Sequence, residues 1–99
     1  MFVCIMQAVI CCWDEVKRKA NLRKHRLDFT DAAALFEGAT FTFEDDRFDY
    51  VEQRYITLGM LHGVVVLITH TEEADVTRII SMRKATKHEA ELYFEQFGK

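Results

Sequence analysis

The segment that most restricts the fold is the run VVVLITHT at residues 64–71. A short, almost continuously apolar stretch bounded by turn signals reads as a strand at the centre of a sheet. His62-Gly63 ahead of it makes a tight connection, and residues 72–75 turn the chain again. Further strand signals lie on both sides. Residues 40–44 alternate threonine with phenylalanine. Residues 52–60 place Arg54, Ile56 and Leu58 on one face of a strand, with Tyr55 and Thr57 on the other. Residues 76–82 read as the last strand.

Helical patterns flank these strands. Residues 9–13 are β-prone, after which Asp14 caps a helix running to about residue 25, with Val16 and Ala20 as a thin apolar stripe. Thr30 caps a short helix over residues 31–37, with Ala32, Ala33, Leu35 and Phe36 apolar and Gly38 as its stop. Thr86-Lys87-His88-Glu89 is a capping box that opens a final helix, and Ala90, Tyr93, Phe94 and Phe97 follow at helical spacing. The expected order is β-α-α-β-β-β-β-α, an α+β domain with a mostly antiparallel sheet and helices packed on it. Ninety-nine residues without a linker or repeat make one domain, with residues 1–12 as an extended lead-in. The lead-in has no basic n-region and is too short to span a bilayer, so no membrane association is expected.

Charge narrows the function. A formal charge of −3 argues against non-specific coating of nucleic acid. The charge is segregated, however. Residues 17–26 hold six of the thirteen Lys and Arg residues and no carboxylate, whereas residues 44–52 carry Glu44, Asp45, Asp46, Asp49 and Glu52 against Arg47 alone. The basic stretch suits phosphate, and it suits equally a solvated helix face that favours the helix dipole. Cys4, Cys11 and Cys12 have no CxxC spacing, and adjacent Cys11 and Cys12 point to opposite faces of a strand. They read as reduced thiols of a cytoplasmic protein. His25, His62, His70 and His88 have no metal-ligand spacing, and no cofactor motif occurs, so neither a metal nor a cofactor is expected.

What remains is a set of cationic, imidazole and carboxylate groups. Lys24 and His25 end the first helix, Glu52 and Arg54 share a strand face, and Arg83-Lys84 stands where the last strand meets the final helix. Arg78 and Arg83 are five residues apart and fall on opposite faces of a regular strand. Arginine suits a phosphodiester transition state because its planar fork binds phosphate oxygens in pairs. Each group also has a structural reading, as a surface pair or a helix-end hydrogen bonder. By composition and spacing alone this is a small α+β domain with groups suited to binding an anion.

Three blocks carry a resemblance: WDEVKRKANLRKHRLDFTDAAALF, EDDRFDYVEQRYITLGM and TRIISMRKATKHE. In this order, across most of residues 13–89, they resemble the BrnT family of ribonuclease toxins. The resemblance implies a RelE-like fold, metal-independent cleavage of RNA, and a BrnA-type antitoxin. That antitoxin would carry a ribbon-helix-helix part, mask the toxin in a hetero-oligomer and bring it to operator DNA. By position, the family's motif residues fall on Lys24, His25, Arg54, Arg78 and Arg83, with Glu52 beside Arg54. Lys24, Arg54 and Arg83 would bind the scissile phosphate, and His25, preferred over Glu52, would accept the proton, since imidazole exchanges protons near neutrality. Lys17, Arg18, Arg23 and Lys84 would guide RNA, and Phe48, Tyr50 or Tyr55 would stack a base. Family members usually carry a glycine after the Lys-His pair. Arg26 stands there and is expected to strain the left-handed turn. Two other functions compete with the toxin: a decayed, non-catalytic module that docks the antitoxin as co-repressor, and an unrelated interaction protein whose basic helix meets an acidic partner.

Overall fold

The computed structural model describes residues 2–5, 10–47 and 51–98, with side chains from Ile10 onward. The expected elements are present from Ile10 on: β2 (Ile10–Asp14), α1 (Glu15–His25), a 3₁₀ turn (Phe29–Asp31), α2 (Ala32–Glu37), β3 (Thr40–Glu44), β4 (Tyr55–Leu61), β5 (Val64–Glu73), β6 (Val76–Lys84) and α3 (Lys87–Phe97). Ahead of them, within the expected lead-in, β1 (Phe2–Ile5) pairs antiparallel with β2, so these residues are an edge strand of the sheet. The sheet order is β1-β2-β6-β5-β4-β3. Its one parallel pair among the described strands is β2 with β6, and the sheet is therefore mixed.

The run at residues 64–71 does lie inside the sheet, in β5, between β4 and β6. Even-numbered residues of β5 face one side and odd-numbered ones the other. On the first side Val66, Ile68, Ile79, Met82, Cys11 and Trp13 pack under Phe29, Ala32, Ala33 and Leu35 from the 3₁₀ turn and α2. On the second side Ile56, Leu58, Val65 and Leu67 pack under Tyr93 of α3. α2 rides close to the sheet at Gly59, where a Cβ would sit 2.6 Å from Leu35 Cδ2. Two turns are tight hairpins with positive φ at both central residues, His62-Gly63 and Ala74-Asp75. β5 therefore runs to Glu73, and the second turn is shorter than the segment 72–75 expected to form it.

Several local readings need correction. α1 is capped by Asp14, whose carboxylate accepts from the Val16 and Lys17 N–H groups. Val16 and Ala20, however, face solvent, and Val16 is 74% exposed. The buried residue of α1 is Asn21. A helix at the sheet edge needs no apolar stripe when a polar side chain docks it. Thr30 caps nothing. Asp28 accepts from the Thr30 N–H and caps the 3₁₀ turn that leads into α2, because a carboxylate two residues back reaches the free N–H groups first. Residues 52–54 precede β4 rather than belonging to it. In the acidic segment Asp45 is buried and accepts from Arg47 Nε and Nη2 at 2.7 and 2.9 Å. Residues 48–50, including Phe48 and Tyr50, lie outside the described residues.

His70 interrupts the apolar interior of β5 and is 2% exposed. Thr57 Oγ1 lies 2.7 Å from its Nε2, and Glu72 Oε2 lies 2.7 Å from its Nδ1. Burial pushes its pKa below the ordinary histidine value, and the Glu72 carboxylate offsets this only in part. The unfolded chain therefore takes up this proton first as pH falls. Stability is full above about pH 6.5 and declines as pH drops toward the folded-state value. Thermal melts between pH 7.5 and 5.5 should show a falling Tm, and His70→Gln should flatten that slope. A wild-type slope retained in this variant would assign the effect to another group.

Candidate functional site

Regular pleating would separate Arg78 from Arg83, but β6 is not regular. Ser81 pairs with Thr69 while Ile79 pairs with His70, so Ile80 is an extra residue, a β-bulge. The bulge reverses the alternation. Arg78, opposite Thr71, and Arg83, opposite Leu67, therefore stand on the same face. This is the face that α3 covers over β3 and β4, and on β6 Arg78 and Arg83 remain half-buried.

Both guanidinium groups are held by carboxylates. Arg83 makes a two-pronged pair with Glu89, Nη1 to Oε1 at 2.8 Å and Nη2 to Oε2 at 2.9 Å. Glu89 also closes the capping box of α3, accepting from the Thr86 N–H at 2.8 Å. The Arg83 hydrogen bonds, with help from Thr86, hold the Glu89 carboxyl below the usual glutamate range against the opposing effect of burial. Arg78 Nη2 binds Glu52, and its Nε reaches Thr71 Oγ1 at 3.4 Å. Glu52 thus accompanies Arg78 rather than Arg54. Arg54 sits one residue before β4, where its carbonyl accepts from the Asp45 N–H at 2.8 Å and continues the β3–β4 ladder. Beside Arg78 a cleft of about 280 Å³ opens between Cys12, Thr71, Glu73 and Val76. As expected, Cys11 is in the core while Cys12 lies on the other face.

The helix-end pair reaches this region through a residue that sequence reasoning passed over. Asn21 Nδ2 donates to the Met82 carbonyl at 2.9 Å and to the Leu27 carbonyl at 3.1 Å, and its Oδ1 accepts from the Met82 N–H at 3.1 Å. β2 pairs with β6 only as far as Ile79. Beyond that point the Asn21 amide does what a neighbouring strand would do for the free edge of β6. Lys24 and His25 follow Asn21 by three and four residues and so share its side of the helix. The last turn of α1 is thereby fixed beside Met82 and Arg83, with Lys24 exposed and His25 half-buried. Arg26 then adopts the left-handed conformation, φ 60° and ψ 26°, and caps α1. The signal for Asn21 was present: asparagine is a poor residue for a helix interior unless its amide is used.

Of the remaining basic candidates, Lys17, Arg23 and Lys84 are exposed. Arg18 is committed elsewhere. Its Nε donates to Glu15 at 2.6 Å, and its Nη1 donates to both Asp28 oxygens at 3.1 and 3.2 Å. Arg18 thus ties α1 to the following turn. Among the described residues no three His, Cys, Asp or Glu side chains are grouped to hold a metal ion, and no helix is long and apolar enough to cross a membrane.

Residues 13–89 match the family model of the ribonuclease toxin BrnT of type II toxin–antitoxin systems. The chain belongs to the BrnT family. No curated protein matches it significantly. The BrnT match begins at Trp13, just before the cap of α1, and ends at Glu89, the partner of Arg83. It therefore spans every charged group described above. Membership of a type II BrnT family assigns the chain to the ribonuclease toxins and implies a protein antitoxin as its partner.

Proposed function

We propose that this BrnT-family chain is an endoribonuclease of RelE-like design that cleaves RNA without a metal ion and so inhibits translation and growth. A BrnA-type ribbon-helix-helix antitoxin neutralises it and carries the complex to operator DNA. The observation that supports this reading best is the bulge at Ile80, which puts Arg78 and Arg83 on one face of the sheet, while Asn21 docks α1 on the β6 edge at Met82. RNA enters as a single strand, where the 2′-hydroxyl can align with the adjacent phosphorus. His25 takes the 2′-hydroxyl proton as that oxygen attacks phosphorus. Lys24, Arg54, Arg78 and Arg83 bind the non-bridging oxygens and stabilise the extra charge of the pentacoordinate state. The bond to the 5′-oxygen breaks, that oxygen takes up a proton, and a 2′,3′-cyclic phosphate remains. Glu52 and Glu89 hold the arginine forks in place, while Lys17, Arg23 and Lys84 draw in the strand. The chemistry then rests mainly on positioning and electrostatics.

The test is induced expression in bacteria with and without the antitoxin, joined to cleavage of a defined RNA in EDTA. Growth arrest relieved by the antitoxin is expected, with cleavage that survives EDTA and stops at a 2′-deoxy position. Cleavage through a 2′-deoxy position would sink the mechanism. Two observations favour the second reading, a non-catalytic antitoxin-docking co-repressor: both site arginines are already paired with carboxylates, and Arg26 holds a left-handed turn. Normal growth with intact RNA and folded protein would establish that reading instead.

A further inference from the structure

On the sheet face opposite the arginines lies a cavity of about 380 Å³, lined by Phe36, Thr42, Tyr55, His70, Glu72 and Thr77. Its walls are aromatic. Phe36 meets the His70 ring edge-on at 5.3 Å, and Tyr55 stacks on that ring at 6.0 Å. Its polar groups form a directed chain. Burial disfavours the charged ring of His70, and in the neutral form one ring nitrogen carries the proton. A carboxylate only accepts, which places that proton on Nδ1, close to Glu72 Oε2 although not aligned as a regular hydrogen bond. Nε2 therefore accepts from Thr57 Oγ1, and Thr57 in turn accepts from Thr42 Oγ1 at 2.7 Å. Thr77 Oγ1 donates to Glu72 at 2.7 and 2.9 Å.

All of these hydroxyl protons are spent within the protein. What the cavity offers a ligand is acceptors: the lone pairs of Thr42 and Thr77 and the Glu72 carboxylate, which is 42% exposed. Negative charge continues beside it, since exposed Glu44 is the cross-strand partner of Tyr55 and shares its face of the sheet. None of the lining residues is lysine or arginine.

We propose that this cavity is a socket for an arginine side chain of a protein partner. A guanidinium group supplies up to five donors and no acceptor, carries the complementary charge, and has a flat face that stacks on Tyr55 or Phe36. A nucleobase would also suit the rings, but it arrives with phosphates beside the Glu44 and Glu72 carboxylates. Family membership supplies a protein partner to carry the arginine. The socket lies across the sheet from Arg78 and Arg83, so it is independent of the RNA-cleaving reading.

The test is an NMR titration of the isotopically labelled chain with Nα-acetyl-arginine amide and, separately, with 5′-GMP. The arginine derivative should shift the ring resonances of Phe36, Tyr55 and His70 saturably, and Glu72→Gln should weaken it about tenfold, as loss of a charge-assisted pair requires. Glu44→Gln, at the exposed rim, should weaken it about twofold through the lost field alone. It carries the test if Glu72→Gln does not melt like the wild type. No saturable shift, binding unchanged in both variants, or stronger displacement of the same resonances by 5′-GMP would overturn the proposal.

Discussion

Replacing Asn21 by leucine should lower the unfolding free energy by about 3–9 kcal/mol, since each buried group left without its hydrogen bond costs roughly 1–3 kcal/mol. Three bonds are lost at once, and the Met82 N–H, the Met82 carbonyl and the Leu27 carbonyl all lose a partner. Asn21 is 8% exposed, so water replaces little of this. A domain of this size holds only about 5–15 kcal/mol in total, and the variant should sit near the edge of folding. Urea unfolding followed by circular dichroism reads the change. Asn21→Asp gives a second, independent signature. It keeps the shape and the acceptor for the Met82 N–H but turns a carboxylate oxygen toward two carbonyls. Ionisation is then unfavourable in the folded state, so this variant should be closer to the wild type at pH 4 than at pH 7. A loss under about 1 kcal/mol for Asn21→Leu would show that β6 does not need its surrogate neighbour.

Arg83→Ala should reduce RNA cleavage by about 10²–10³-fold, the scale seen when one donor to a developing oxyanion is removed. Arg83→Lys should fall between, because it keeps the charge and loses the two-pronged geometry. Stability should change by only about 1 kcal/mol, since the Arg83–Glu89 pair is partly open to solvent. Arg78→Ala should behave in the same way. Initial rates on a defined RNA, measured beside thermal melts, separate loss of chemistry from loss of structure. Unchanged cleavage in both alanine variants would remove the two arginines from the mechanism. Melting that collapsed with the activity would make them structural.

Much of the fold was legible because its signals are local. The Thr86-to-Glu89 capping box opens α3 as expected, with both reciprocal hydrogen bonds formed. Asp14 starts α1, and the apolar run at residues 64–71 lies inside the sheet. The site was legible only as a list of residues. The bulge at Ile80 leaves no mark in the spacing of apolar residues, because Ile79, Ile80 and Met82 are all apolar whichever of them faces the core. The Val16-Ala20 stripe misled for the converse reason. Two apolar residues at helical spacing have no meaning until a neighbouring surface exists to cover them. Thr30 and Asp28 are both good caps, and only the geometry of the 3₁₀ turn chooses between them.

The amino-acid sequence by itself determined the kinds and limits of most elements, the segregation of charge and the family resemblance. Propensity, capping and periodicity act over a few neighbouring residues, so these features can be read without knowing the fold. Tertiary structure alone decided that Arg78 and Arg83 share a face, that Asn21 completes the edge of β6, and that His70 and Glu72 line a cavity on the other side of the sheet. Each depends on which strand lies beside which, and in what register. Those pairings join residues far apart in the chain, as Asn21 and Met82 are joined here, and they are settled only when the whole sheet closes its hydrogen bonds.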